Sequence, residues 1–182
     1  MPKTQSDDFL LKYSEEHVAY EVRMFIWLAN ALGKRTMTVR AKTEEDALRL
    51  RFALIEAFVL HLRNLREFLF LNYPKNEHIV AAQFCQMDIW QKARPALSAV
   101  LKTAWGRASK EMAHLTTKRI AGSPREKEWD FTGLADEIRP IIRLLAATAE
   151  RSRLSPFVAM SIMAMRKVPK WRRGQNKRNK SH

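Results

Sequence analysis

Hydrophobic residues recur with a helical period along most of the chain, and polar residues divide the pattern into segments. The first segment predicts a helix over residues 15–32. Ser14 has the character of an N-cap there, and Gly33 that of a helix stop. Nothing in the pattern alternates with the two-residue period of a half-buried strand over any length, so the sequence indicates an all-helical protein.

The second segment carries the strongest hydrophobic pattern. Thr43 opens it with "TEED", an approximate capping box, and residues 44–72 then run to a Tyr-Pro pair. Because this segment is apolar nearly all round, we predict a helix at the centre of a bundle.

Further helices are expected along the rest of the chain. A weaker helix is predicted over 77–93, and a long helix follows, with Pro95 in its first turn and its end near Gly122. The next predicted helix spans 133–153, where Pro140 can bend it. A short helix then runs from Ser155-Pro156 to about Lys167. The expected architecture is an all-α bundle of four to five main helices with a short C-terminal helix. We assign residues 1–167 to a single domain and 168–182 to a basic tail, disordered when unbound.

The charge is strongly positive and unevenly spread. The formal net charge is +14, and the stretch from Arg166 to the C-terminus contains eight Lys and Arg residues and no Asp or Glu. A charge of this size favours an anionic partner: nucleic acid, an acidic protein or a membrane surface.

The composition also narrows the chemistry. Cys85 is the only cysteine, which excludes an intrachain disulfide and a cysteine-based zinc site and fits a reducing, cytoplasmic location. No glycine-rich phosphate loop is present, so we expect neither a metal nor a cofactor. The N-terminal residues do not resemble a secretory signal, and no apolar run reaches the length of a transmembrane helix.

One charged row stands out in the third long helix. Arg107, Glu111, His114 and Lys118 recur at helical spacing beside an apolar face. An imidazole can act as general acid and base on RNA, and a guanidinium can hold the phosphate, which predicts metal-free RNA cleavage. The alternative is an ordinary i,i+4 ion pair between Arg107 and Glu111 within a surface network.

Two stretches of the chain together resemble a known group of proteins. "ALIEAFVLHLRNLREFLF" (53–70) contains Glu…His-x-Arg-Asn-Leu, and "RASKEMAHLTTKR" (107–119), followed by "EKEWD" (126–130), contains His-Leu-Thr-x-x-Arg. This combination resembles small bacterial helical proteins of the HEPN-like superfamily. The resemblance covers about residues 45–148.

The resemblance implies a helical bundle, often dimeric. Many HEPN proteins are metal-independent ribonucleases with an Arg-x(4–6)-His motif, and others are inactive nucleotide- or RNA-binding relatives. The motif falls on Arg107 and His114, while Ala108 departs from the polar residue usual in active members. The expected function is that of an RNA-directed homodimer that acts as an endoribonuclease of defence or toxin type. The alternative is a non-catalytic module that binds RNA, a nucleotide or a protein partner.

Other residues are candidates for supporting roles. His61 lies on an apolar face and should be buried, satisfied by Asn64 or a backbone carbonyl; alternatively it supports the candidate catalytic histidine across a groove. Glu56 and Arg63 occupy the other side of that helix, where Arg63 and Glu67 form an expected ion pair and a second acid/base site is an alternative.

Anion contacts are expected in two places: Lys118 and Arg119 at the end of the third long helix, and Lys170, Trp171, Arg172 and Arg173 in the tail. Arg119 can instead complement the helix dipole, and the tail can be merely solubilising. Trp90, Trp105 and Trp129 are predicted packing anchors rather than stacking platforms. The apolar, Met-rich run 156–165 is a candidate contact for a second copy or a protein partner, with membrane contact as a minor alternative.

Overall fold

The computed structural model describes residues 5–33, 41–72, 78–112 and 128–163. Every regular element within these ranges is a helix, which confirms the predicted all-α bundle. We number the α-helices α1 (Asp7–Tyr13), α2 (Ala19–Gly33), α3 (Glu44–Phe70), α4 (Met87–Ala93), α5 (Ala99–Arg107), α6 (Phe131–Thr148) and α7 (Pro156–Met163). Two π turns, Ser14–Val18 and Ala108–Met112, and a 3-10 turn, Ala81–Phe84, complete the list.

The first helical stretch begins earlier than predicted. Ser6 is the N-cap, and its hydroxyl accepts a hydrogen bond from Phe9 N at 3.2 Å. The predicted cap, Ser14, instead lies fully buried in a π turn that joins α1 to α2. Its hydroxyl donates to Leu11 O and accepts from Ser155 N, both at 2.8 Å. Ser14 therefore joins two distant parts of the chain, a role that local pattern does not reveal.

Helix α2, rather than α3, is the central helix. It packs against α3, α6 and α7, and most of its side chains are buried. The first half of α3 is exposed, including Leu48, Leu50 and Phe52, and burial begins at Phe58. The prediction of a central second helix is therefore wrong for that half, because the hydrophobic pattern does not say which apolar faces find a partner.

Stacked aromatic rings connect three helices in the core. Phe25 of α2 stacks on Phe58 of α3 with centroids 5.0 Å apart, and Phe58 meets Phe131 of α6 edge-on at 5.1 Å. All the ring pairs lie within the preferred range for aromatic contacts.

Helix caps decide where several elements begin. The Thr43 hydroxyl accepts from Asp46 N at 3.1 Å, and the Ser155 hydroxyl accepts from Phe157 N at 3.3 Å, as predicted. By contrast, Pro95 precedes α5, because Ser98 caps that helix by accepting from Leu101 N at 3.1 Å.

Helix α6 also differs from its predicted span. The Asp130 carboxylate caps it by accepting from Gly133 N at 2.8 Å, so the helix begins at Phe131. Pro140 lies in its interior, and the helix ends at Thr148. Two predicted helix ends lie outside the described residues: the end near Gly122 for the third long helix and the end near Lys167 for the last helix.

The start of the chain is fastened to the link between α6 and α7. Asp7 accepts hydrogen bonds from Ser152 Oγ and from Arg153 Nε, both at 2.7 Å. These two bonds hold the pKa of Asp7 below its usual value of 3.8. Further along, Ser161 Oγ donates to Ala19 O at 3.2 Å and ties α7 to α2.

Among the described helices, none combines the length and the apolar composition that a membrane-spanning helix requires.

Phe58→Ala is expected to destabilise the protein by about 3–5 kcal/mol, because it removes a fully buried ring from the aromatic stack. Phe52→Ala is the matched control on the same helix: Phe52 is 54% exposed, so the change should cost about 0.5 kcal/mol or less. Urea unfolding followed by circular dichroism measures both. Equal costs would mean that the stack is not part of the core.

Asp7→Asn should remove a pH-dependent part of the stability. Because the folded pKa of Asp7 is lowered, its carboxylate stabilises the fold above pH 3.8 and loses this effect as the pH falls through the folded value. The wild type should therefore exceed the variant in stability at neutral pH, and the difference should close on acidification. Thermal unfolding across pH tests this, with the exposed neighbour change Asp8→Asn as control. A pH-independent difference would contradict it.

Candidate functional site

Arg107 ends α5, and its side chain contacts Trp129 and Glu128. Its guanidinium carbon lies 4.4 Å from the centroid of the Trp129 ring, and Nη1 donates to Glu128 O at 3.1 Å. The residue is half-buried. The cation–π contact and the hydrogen bond together hold the Arg107 guanidinium in place.

A groove of about 370 Å³ lies beside this arginine. Its walls come from one side of α5 and from the start of α6, and they include Thr103, Arg107, Trp129 and Leu134. Its lining also contains Glu128 and Asp130, so the Arg107 guanidinium is the group among the described lining residues that an anion would contact.

A π turn follows Arg107 immediately. Residues Ala108–Met112 form it, and Ala108 is fully buried. A π turn holds one more residue than an α turn, so α-helical spacing does not apply within residues 108–112. The step from Arg107 to Glu111 therefore follows a π turn rather than the predicted α-helix, and His114 lies outside the described residues. Such turns occur frequently at functional sites.

Most of the other predicted site residues lie outside the described part of the chain. These are His114, Lys118, Arg119, Lys170, Trp171, Arg172 and Arg173. The backbone of Glu111 is described as part of the π turn, and its side chain is not.

His61 is buried, as predicted, but its partner is neither Asn64 nor a backbone carbonyl. Its Nδ1 lies 2.7 Å from Glu21 Oε2, and because an ionised carboxylate can only accept, the imidazole donates. Asn64 Nδ2 donates to Glu21 Oε1 at 3.2 Å. Two side chains one turn apart on α3 therefore hold a single carboxylate from α2. We call this arrangement the Glu21 clamp.

The remaining α3 candidates do not join the clamp. Glu56 is exposed and Arg63 is half-buried. Within the described ranges the expected Arg63–Glu67 ion pair is not formed, and Arg63 Nε is buried without a hydrogen-bond partner. No second acid/base site assembles from these residues.

The tryptophans pack as predicted. Trp90 is fully buried, and the Trp105 ring lies beneath the Arg66 guanidinium at 4.0 Å. Trp129 combines packing with its contact to Arg107.

A cavity of about 400 Å³ opens beside the Glu21 clamp. Its polar lining comprises Tyr13, His17, Glu21, Asn64, Glu67 and His78, and Phe68, Leu71 and Ile79 are among its apolar walls. The rings of Tyr13 and His17 contact each other with centroids 4.8 Å apart. Burial, together with the nearby Glu21 carboxylate, raises the pKa of Tyr13, so its phenol stays protonated at neutral pH.

Sequence reasoning missed Glu21, although one signal was present. Glu21 lies between Val18 and Phe25 at helical spacing, on a stripe that is otherwise buried and apolar. A carboxylate in such a position needs donors from another element. The same logic did not reveal the other cavity residues, since His17 and His78 are exposed.

Metal binding finds no support in the described residues. Among them, no group of three or more His, Cys, Asp or Glu side chains could hold a metal ion.

Comparison of the chain with protein-family models, with curated proteins and with solved structures gives no match.

Glu21→Ala is expected to cost about 1–3 kcal/mol of stability, because it leaves the buried His61 Nδ1 without an acceptor. The control is Glu15→Ala, an exposed glutamate in the preceding π turn, with an expected effect of about 0.5 kcal/mol or less. A double-mutant cycle of Glu21→Ala with His61→Phe, measured by urea unfolding, should give a coupling of roughly 0.5–3 kcal/mol. Additive effects would show that the clamp does not stabilise the bundle.

Proposed function

We propose that this protein is RNA-directed and HEPN-like, and specifically that it is a metal-independent endoribonuclease of defence or toxin type. The observation that carries the proposal is the fixed guanidinium of Arg107, stacked on Trp129 in the wall of an open groove. An oriented guanidinium suits the phosphate of RNA, and the sequence places an imidazole a few residues further along the chain.

The proposed chemistry needs only protein side chains. His114 takes the proton from the 2′-hydroxyl, and the 2′-oxygen bonds to phosphorus to form a 2′,3′-cyclic phosphate. The bond from phosphorus to the 5′-oxygen breaks as the protonated imidazole returns that proton to the 5′-oxygen. Arg107 stabilises the negative charge of the transition state, and Glu111 positions both groups. Proton transfer of this kind contributes roughly 10²–10⁴ in rate.

The π turn after Arg107 bears on how the pair would meet a substrate. Since α-helical spacing fails across residues 108–112, the two side chains need not come from one chain. A homodimer in which one protomer supplies Arg107 and its partner supplies the histidine satisfies the same chemistry. The proposal therefore includes a homodimer, in the cytoplasm.

The surrounding charge supports an RNA substrate. The chain carries +14, and its basic tail places Trp171 among Lys170, Arg172 and Arg173. Basic side chains neutralise phosphates and an indole stacks a base, a combination suited to sequence-tolerant binding. Lys118 and Arg119 would add further phosphate contacts.

The alternative is a non-catalytic module that holds RNA, a nucleotide or a protein partner. Arg107 already contacts Glu128 O and Trp129, and a stacked guanidinium and indole can hold a base without catalysing anything. The contact surface of α7 favours a protein partner, because Phe157, Met160 and Met163 are about half exposed or more.

The nuclease proposal predicts RNA cleavage in the presence of a chelator, reduced about 10²-fold or more by His114→Ala and by Arg107→Ala. Gel analysis of a labelled single-stranded RNA measures the rates. Arg143→Ala is the matched control, since it removes the same charge from an exposed position on α6. If the wild type binds RNA but never cleaves it, the non-catalytic alternative holds; cleavage that survives both substitutions refutes the assigned residues.

Deleting residues 168–182 should weaken RNA binding and flatten its salt dependence, because each lost phosphate contact lowers the slope of log K against log salt by about one. Fluorescence anisotropy at several salt concentrations provides the slope. If the salt dependence of RNA binding is unchanged in the shortened chain, the tail serves only to increase solubility.

A further inference from the structure

The cavity beside the Glu21 clamp shares no lining residue with the Arg107 groove. It lies between the first π turn, the start of α2, the second half of α3 and Ile79. Its volume of about 400 Å³ falls within the range of small-molecule sites, about 300–1,000 Å³. It is therefore a separate site, with a chemistry of its own.

The lining carries negative charge within a positive protein. Glu21 and Glu67 both line the cavity, and none of the described lining residues is Lys or Arg. Two histidines, His17 and His78, complete the titratable groups of the lining besides Tyr13. The two carboxylates therefore favour a cationic ligand over an anionic one.

The clamp fixes Glu21 before any ligand arrives. His61 donates to one carboxylate oxygen and Asn64 to the other, and each oxygen has two lone pairs, so acceptor capacity remains on both. The Glu21 side chain is 25% exposed and lines the cavity. A preorganised acceptor of this kind binds a donor without the cost of ordering a free side chain.

The other walls suit the rest of such a ligand. Tyr13 supplies an aromatic ring and a hydroxyl to the lining, while Phe68, Leu71 and Ile79 offer apolar surface to a hydrocarbon stem. The geometry therefore points to a small organic cation: we propose that this cavity binds a primary ammonium group carried on an aliphatic stem. The proposal is independent of the RNA-directed function.

The probes are n-butylamine and 1,4-diaminobutane, with n-butanol as the neutral analogue of the same shape, titrated into the full chain to well above about 1 mM. Amide chemical-shift changes in NMR spectra locate the contact, and the titration gives Kd. N-acetyl-lysine methylamide tests the other source of the same chemistry, a lysine side chain of a protein. Tighter binding of the diamine would identify a free amine as the ligand, and tighter binding of the lysine derivative would identify a protein side chain. Either result supports recognition of an ammonium group.

Glu67→Gln and Glu21→Gln should each weaken amine binding about tenfold or more, because each removes a charged acceptor. Glu44→Gln is the control: it removes the same charge from the exposed start of α3, where acidic residues cluster outside the cavity. If Glu21→Gln does not fold, Glu67→Gln decides the question. The proposal is overturned by absence of amine binding, by equal binding of n-butanol, or by an equal loss in Glu44→Gln.

Discussion

The aromatic stack of Phe25, Phe58 and Phe131 is the constraint on which both sites depend. It joins α2, α3 and the first residue of α6 at the centre of the bundle. Trp129 lies two residues before Phe131, so the position of α6 also sets the surface on which Arg107 rests. His61 lies nearly one turn beyond Phe58 on α3, which brings it to Glu21. One hydrophobic cluster thereby fixes the placement of two polar ones.

The fold class and several helix boundaries were predictable because they are local properties. Helical periodicity needs only neighbouring residues, and the caps at Thr43 and Ser155 act on amides two or three residues away. Ser14 and Pro95 have equally suitable side chains for a helix start. Ser14 does not cap a helix, because its burial against Ser155 places it inside a helical stretch. Pro95 does not begin α5, because Ser98 caps that helix instead.

The candidate site was predictable only in part. The burial of His61 follows from its apolar neighbours on α3, but its acceptor lies on a different helix, and no spacing rule connects it to Glu21. The contact between Arg107 and Trp129 is likewise long-range. The π turn after Arg107 leaves no mark in hydrophobic periodicity, so it could not be predicted from the sequence. The predicted roles of Arg107, Glu111 and His114 remain proposals.

The uncovered first half of α3 has a consequence for how copies of the chain behave in solution. Leu48, Leu50 and Phe52 face outward, with Arg49 and Arg51 between them. Copies of the chain repel one another because each carries a net charge of +14. This repulsion opposes association through the exposed apolar side chains. Added electrolyte shortens the reach of the repulsion, to about 8 Å at physiological ionic strength, while leaving hydrophobic attraction intact. Colloidal stability of this protein therefore decreases as ionic strength rises.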